Sequence, residues 1–168
     1  MNENNILEIK DLSVIYKTDL ETVKAVNGIN IAIKKKSTFG LVGETGAGKT
    51  TTARSIIRLL PSVGHVTSGT IEFEDRNLLE LPEAEMRLFR GDKIAMVFQD
   101  PMTSLNPVMS VGDQIAETIK IHNPELDKAE VGRRVEATLA MVGILPSRKV
   151  EYPHQFSGGM KQRVIIAM

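Results

Sequence analysis

Residues 43–50 read Gly43-Glu44-Thr45-Gly46-Ala47-Gly48-Lys49-Thr50, the pattern G-x-x-x-x-G-K-[ST], which confines the surrounding fold to a strand, a phosphate-wrapping loop and a helix. The flanks fit that order. Residues 37–42 are a short strand candidate, and residues 51–60 place Ala53, Ile56, Ile57 and Leu60 on one face at helical spacing before Pro61 stops the helix. Glycines at 43, 46 and 48 tolerate positive φ and carry no Cβ to hold an anion away from the backbone amides. A helix starting at Gly48 adds orphan N–H groups and the positive end of its dipole. In such a loop Lys49 reaches the β- and γ-phosphates of a nucleoside triphosphate, the Thr50 hydroxyl binds Mg²⁺, and Thr51 touches the α-phosphate.

The rest of the composition removes competing classes. At 168 residues the chain is one domain by length, and 21 basic against 21 acidic residues leave no whole-chain positive field for nucleic acid. Without cysteine there is no disulfide, thiolate zinc site or iron–sulfur cluster. No segment reaches the roughly 18 apolar residues of a membrane helix, so a membrane role is expected through a partner. The N-terminus lacks the positive start and apolar core of a signal peptide. His65, His122 and His154 have no metal-ligand spacing, and the methionines read as core fillers.

Along the chain, Leu7 and Ile9, then Leu12, Val14 and Tyr16, alternate, as do Ile29, Ile31 and Ile33 after the hairpin-turn dipeptide Asn27-Gly28. Residues 69–73 read as a further strand, and residues 82–90 as a short helix with acids in its first turn, ending before Gly91. Ile94 to Phe98 is wholly apolar, the pattern of a strand buried in a parallel sheet. After a proline-rich loop, Ser110 and Asp113 offer a capping box for a helix carrying Ile115 and Ile119. Asp127 and Glu130 offer a second, for a helix with Val131, Val135, Leu139 and Val142 on one stripe, ending at Gly143. Residues 110–143 therefore form a helical insertion in an α/β body.

A second anion-binding helix start stands at Gln155-Phe156-Ser157-Gly158-Gly159-Met160-Lys161-Gln162-Arg163: Ser157 caps, Gly158 and Gly159 leave the backbone open, and Lys161 and Arg163 add positive charge. A phosphate loop, an apolar run ending at Phe98-Gln99, a helical insertion and Phe156-Ser157-Gly158-Gly159-Met160, in that order, resemble the ATP-binding cassette (ABC) ATPases of membrane transporters. The wording from Val97 to Pro107 resembles the branch that energises uptake of dipeptides, oligopeptides and nickel. The resemblance covers essentially the whole chain.

That resemblance implies an α/β P-loop NTPase (RecA-like) core with an N-terminal antiparallel β subdomain and a helical subdomain. It divides the chain into 1–100 (β subdomain and P-loop core), 101–156 (helical subdomain) and 157–168 (signature motif and the start of its helix). It makes Tyr16 the aromatic that stacks on adenine, and Gln99, with Lys49 a catalytic position, the loop residue near Mg²⁺ and the attacking water. Ser157, Gly158 and Gly159 become the signature that grips the γ-phosphate held by a second ABC subunit, so two cassettes, homo- or heterodimeric, sandwich two ATP. Transmembrane permease subunits would be driven from the cytoplasmic face of the cell membrane, with no nucleic acid involved. The family's commoner signature has Leu and Gln where this chain has Phe156 and Met160. On pattern alone Tyr16 reads equally as a core or edge tyrosine, and Gln99 as an ordinary loop residue.

The family also places an apolar strand ending in Asp-Glu, a later Asp and a switch histidine after the signature helix. None follows Val164 to Met168 here, so the expectation is a cassette incomplete at its C-terminus. Such a chain binds ATP and Mg²⁺ but is inactive in hydrolysis by itself. Two alternatives stay open: a non-hydrolysing nucleotide-binding fragment, and a compact P-loop ATPase outside the family with Asp100 as its metal carboxylate. Alternation turns Asp100 away from the direction of the strand's last residue, and that alternative would leave the Ser157-Gly158-Gly159 segment without a role.

Overall fold

The computed structural model describes residues 4–98 and 104–168. It divides into two compact units, Met1–Ile94 and Ala95–Met168, each around its own apolar cluster.

The first unit is a four-stranded antiparallel sheet, order β2-β1-β3-β4, made of β1 (Asn5–Lys17), β2 (Thr22–Lys34), β3 (Gly64–Phe73) and β4 (Arg76–Asn77). Central β1 buries Leu7 and Ile9, then Leu12 and Val14, so its alternation slips by one residue. The slip falls at Asp11, whose φ is 48°, where the register against both neighbours breaks. A bulge there keeps the apolar side chains on one face despite their odd spacing. Gly69 faces it with φ 94°, and a Cβ would lie 2.5 Å from the Lys10 carbonyl oxygen, so only glycine fits.

The expected hairpin turn at Asn27-Gly28 is corrected. Residues 18–21 make the turn, where Thr18 N–H donates to the Glu21 carbonyl at 2.9 Å and Thr18 Oγ1 accepts from Glu21 N–H at 3.1 Å. Asn27-Gly28 instead sits inside β2, where pairing shifts between Leu12↔Ile29 and Val14↔Val26. Gly28 has φ 60° and donates its N–H to Ser13 Oγ at 3.0 Å. A bulge and a tight turn both need a residue with positive φ, so the dipeptide alone does not separate them.

The predicted helix over 51–60 is displaced: α1 runs Lys49–Ile56. It stops because Arg58 adopts φ 53°, before Pro61 acts. Arg90 Nε donates to the Ile57 carbonyl at 2.8 Å and Arg58 Nη1 to the Leu78 carbonyl at 3.2 Å, tying this end to its surroundings. Then α2 (Glu83–Asp92) begins after Pro82, has Glu83 and Glu85 in its first turn, buries Met86 and breaks at Gly91, φ 91°.

Two strand expectations fail. Residues 37–42 have no ladder among the described residues, with Val42 90% exposed. Ile94 makes a single parallel bridge with Arg90, and residues 95–98 are not strand. Apolar runs supply the faces of a parallel strand, but its hydrogen bonds must come from a neighbour.

The second unit is helical: α3 (Val111–His122), α4 (Lys128–Met141) and α5 (Gly158–Ala167), with 3₁₀ turns at Pro146–Val150 and Pro153–Gln155. Both expected caps are present. Ser110 Oγ accepts from Asp113 N–H at 3.1 Å and Asp127 Oδ1 from Glu130 N–H at 2.7 Å. Val131, Val135 and Leu139 face a core with Ile115, Phe156 and Val164, and Gly143 follows α4 with φ 69°.

Candidate functional site

The loop at residues 43–50 joins β2 to α1 by way of exposed backbone. Gly46 and Gly48 take φ 86° and 82°; Gly43 does not, so only the later two use the left-handed region. Gly48 carries a second constraint, because a Cβ would sit 2.4 Å from the Ala25 carbonyl oxygen. The loop can approach β2 only through glycine here. Within it, Ala47 N–H donates to the Glu44 carbonyl at 3.2 Å, while Glu44, Thr45 and Gly46 stay exposed.

Lys49 arches back over this loop, its Nζ donating to the carbonyls of Gly43 and Glu44 at 2.6 Å each. The ammonium thus lies at the loop mouth, where a polyphosphate would meet it. Gly48 N-caps α1 without a side-chain hydrogen bond, and no acid occupies the first turn. The first bond inside the helix runs from Thr52 N–H to the Gly48 carbonyl at 2.8 Å, so the amides of Lys49, Thr50 and Thr51 precede the ladder. Helices α3, α4 and α5 begin under a capping side chain and α2 under two acids. Among the described residues, α1 alone presents a bare positive end.

Thr50 is exposed beside those amides, a hard oxygen donor of the kind Mg²⁺ takes. Thr51 is 8% exposed and its Oγ1 lies 3.0 Å from the phenol oxygen of half-buried Tyr16 at the end of β1. The bond links two residues that sequence spacing alone gave no reason to pair. Gln99, the expected loop glutamine, lies outside the described residues, as does Asp100.

In the second unit Ser157 N-caps α5 and accepts from Met160 N–H at 3.4 Å. Gly158 and Gly159 are exposed, with nothing within 4 Å of where a Cβ would stand, which leaves their backbone open to a partner. Arg163 Nη1 donates to the carbonyls of Val142 and Gly143 at 3.2 and 2.9 Å, so one end of its guanidinium is engaged just past the end of α4.

Sequence reading missed Arg148. Its guanidinium lies over the buried Phe156 ring, 4.4 Å from the centroid, and donates to the Gln155 carbonyl at 3.1 Å and Glu151 Oε2 at 2.6 and 2.8 Å. Arg148 thereby holds the approach to Ser157. The Glu151 carboxyl is held below its ordinary range, chiefly by this hydrogen bond. Among the described residues no acidic or histidine cluster could hold a metal, and no helix is long and apolar enough to cross a membrane.

Residues 26–168 match the family profile described as ABC transporter. An oligopeptide transport ATP-binding protein, OppD, of Bacillus subtilis (strain 168) is 45% identical over 166 residues, 97% of this chain and 46% of that protein. A dipeptide transport ATP-binding protein, DppD, of Lactococcus lactis subsp. cremoris (strain MG1363) is 42% identical across 100% of this chain and 49% of its own length. The chain spans about half the length of the curated relatives it matches. Among solved structures, the ATP-binding cassette MJ0796, a dimer in a post-hydrolysis state bound to ADP and Pi, superimposes with a TM-score of 0.83 at 26% identity, covering 96% of this chain and 67% of that one. The structure of cbiO1 from Clostridium perfringens, part of the ABC transporter complex cbiONQ, gives 0.76 at 29%, covering 98% of this chain and 61% of that one. These neighbours confirm the α/β cassette fold expected from the sequence.

Proposed function

The chain belongs to the ABC transporter family, and from that premise we propose that it is the ATP-binding, energy-coupling part of an importer for di- or oligopeptides, or nickel. The bare start of α1 carries this reading. Its unpaired amides, the glycine-only approach at Gly48 and the ammonium at the loop mouth suit the phosphate chain of ATP. Relatives named for oligopeptide and dipeptide transport support the substrate class.

In this reading Tyr16 stacks on adenine, residues 43–51 cradle the phosphates, and Lys49 neutralises charge on the β- and γ-oxygens. Thr50 and Gln99 would hold Mg²⁺, which would supply Lewis-acid polarisation of the γ-phosphate. Gln99 orients the attacking water. Ser157, Gly158 and Gly159 bring their open backbone to the ATP of a second ABC subunit, identical or not. The division into 1–100, 101–156 and 157–168 belongs to the same proposal, as do permease partners and a peripheral place on the cytoplasmic face of the membrane.

The test is Lys49→Ala. It removes two charge-assisted hydrogen bonds' worth of phosphate contact, a loss on the order of 100-fold or more in affinity for a fluorescent ATP analogue. Unchanged affinity would remove the phosphate-loop assignment.

A further inference from the structure

The phenol oxygen of Tyr16 and Oγ1 of Thr51 are 3.0 Å apart across the first unit, joining the end of β1 to the first turn of α1. The rest of the tyrosine is held in place for this contact. A Cβ on Gly64 would stand 2.9 Å from Tyr16 Cε1, so the ring lies directly on the β3 backbone. Lys17 N–H, one residue on, donates to the Val63 carbonyl at 2.8 Å, which fixes the strand end beside it. On the other side the Thr51 carbonyl accepts from buried Ser55 Oγ at 2.8 Å, one turn further along α1. A hydroxyl has one hydrogen and two lone pairs. If the phenol donates to Thr51 Oγ1, the threonine hydrogen is left to point elsewhere.

Resting on the phosphate-loop reading above, we propose that Tyr16 is a positioning residue whose hydroxyl donates to Thr51 Oγ1 and so directs the Thr51 hydrogen at the α-phosphate of the bound nucleotide. The ring's stacking on adenine is a separate role, which phenylalanine would fill equally well. The two hydroxyls form a chain from the base side of the site to its phosphate side. Such chains polarise each member, so the terminal donor to an anion is strengthened.

The experiment is a double-mutant cycle on the full chain with Tyr16→Phe, Thr51→Val and the pair, reading ATP, ADP and adenosine affinities by displacement of the fluorescent analogue. Tyr16→Phe should weaken ATP and ADP equally, by roughly 3- to 10-fold, the worth of one hydrogen bond, with adenosine unchanged. Thr51→Val should do the same, the double variant should be no weaker than Thr51→Val alone, and Thr51→Ser should restore binding. Gly64→Ala, which pushes the ring and keeps both hydroxyls, should weaken ATP and ADP alike and adenosine with them, because the ring it displaces is the one that stacks on the base. Wild-type ATP affinity in Tyr16→Phe, or single losses that multiply in the double variant, would overturn the proposal. Lys49→Ala keeps the two levels apart: if it abolishes binding while Tyr16→Phe is silent, only the hydroxyl chain falls. If Lys49→Ala is itself silent, the phosphate-loop reading falls first.

Discussion

Two helix starts in this molecule are built in opposite ways. At α1 the cap is a left-handed glycine, no side chain or acid answers the first amides, and the nearby charge is a lysine. At α5 a serine caps its own helix, followed by two glycines with open space around them. The first suits an anion that lies down along the loop. The second satisfies itself and offers only backbone edge and one hydroxyl, the contact suited to a phosphate presented from outside.

Removing the geometry of the bare end should have the largest effect. Gly48→Ala puts a Cβ against the Ala25 carbonyl at positive φ, so it should destabilise the first unit by about 2 kcal/mol or more and eliminate ATP binding. Thermal melts and analogue titration read both; retained binding would mean that the loop does not need this approach. At the other start, Ser157→Arg in a protein extended to the length of the relatives should leave ATP binding by one subunit intact and block ATP-dependent dimerisation. Light scattering that still shows the ATP dimer would remove the signature role.

The smallest effect concerns the guanidinium behind that start. Because Arg148 lowers the folded-state pKa of Glu151, their pairing stabilises the native chain above the ordinary glutamate range and is lost as pH falls through the lowered folded value. The pair is partly exposed, so the contribution is small. Urea midpoints of wild type and Glu151→Gln should differ slightly at neutral pH and converge in acid. A gap that widens in acid would contradict the pairing.

The contrast between the two starts was half legible in the sequence. Ser110, Asp127 and Ser157 announced their caps because capping is local: residue type and a three-residue offset determine it. Glycines at 46 and 48 announced the loop for the same reason. What could not be read was anything set by a neighbour distant in the chain. Residues 37–42 look like a strand in isolation, yet a strand exists only with a ladder partner. Asn27-Gly28 advertised positive φ without saying whether the chain would reverse or bulge. The Tyr16–Thr51 bond spans 35 residues, and Arg148 gathers Glu151, Gln155 and Phe156 by shape. No periodicity encodes such meetings.

Lys49 turning inward onto Gly43 and Glu44 sets the terms on which a nucleotide would enter. Nucleotide entry becomes an exchange at one ammonium, with phosphate oxygens replacing carbonyl oxygens, and not an addition to a waiting charge. The number of strong contacts to the nitrogen is nearly conserved, and what changes is the acceptor: a neutral carbonyl gives way to a charged phosphate oxygen, the difference that Lys49→Ala removes.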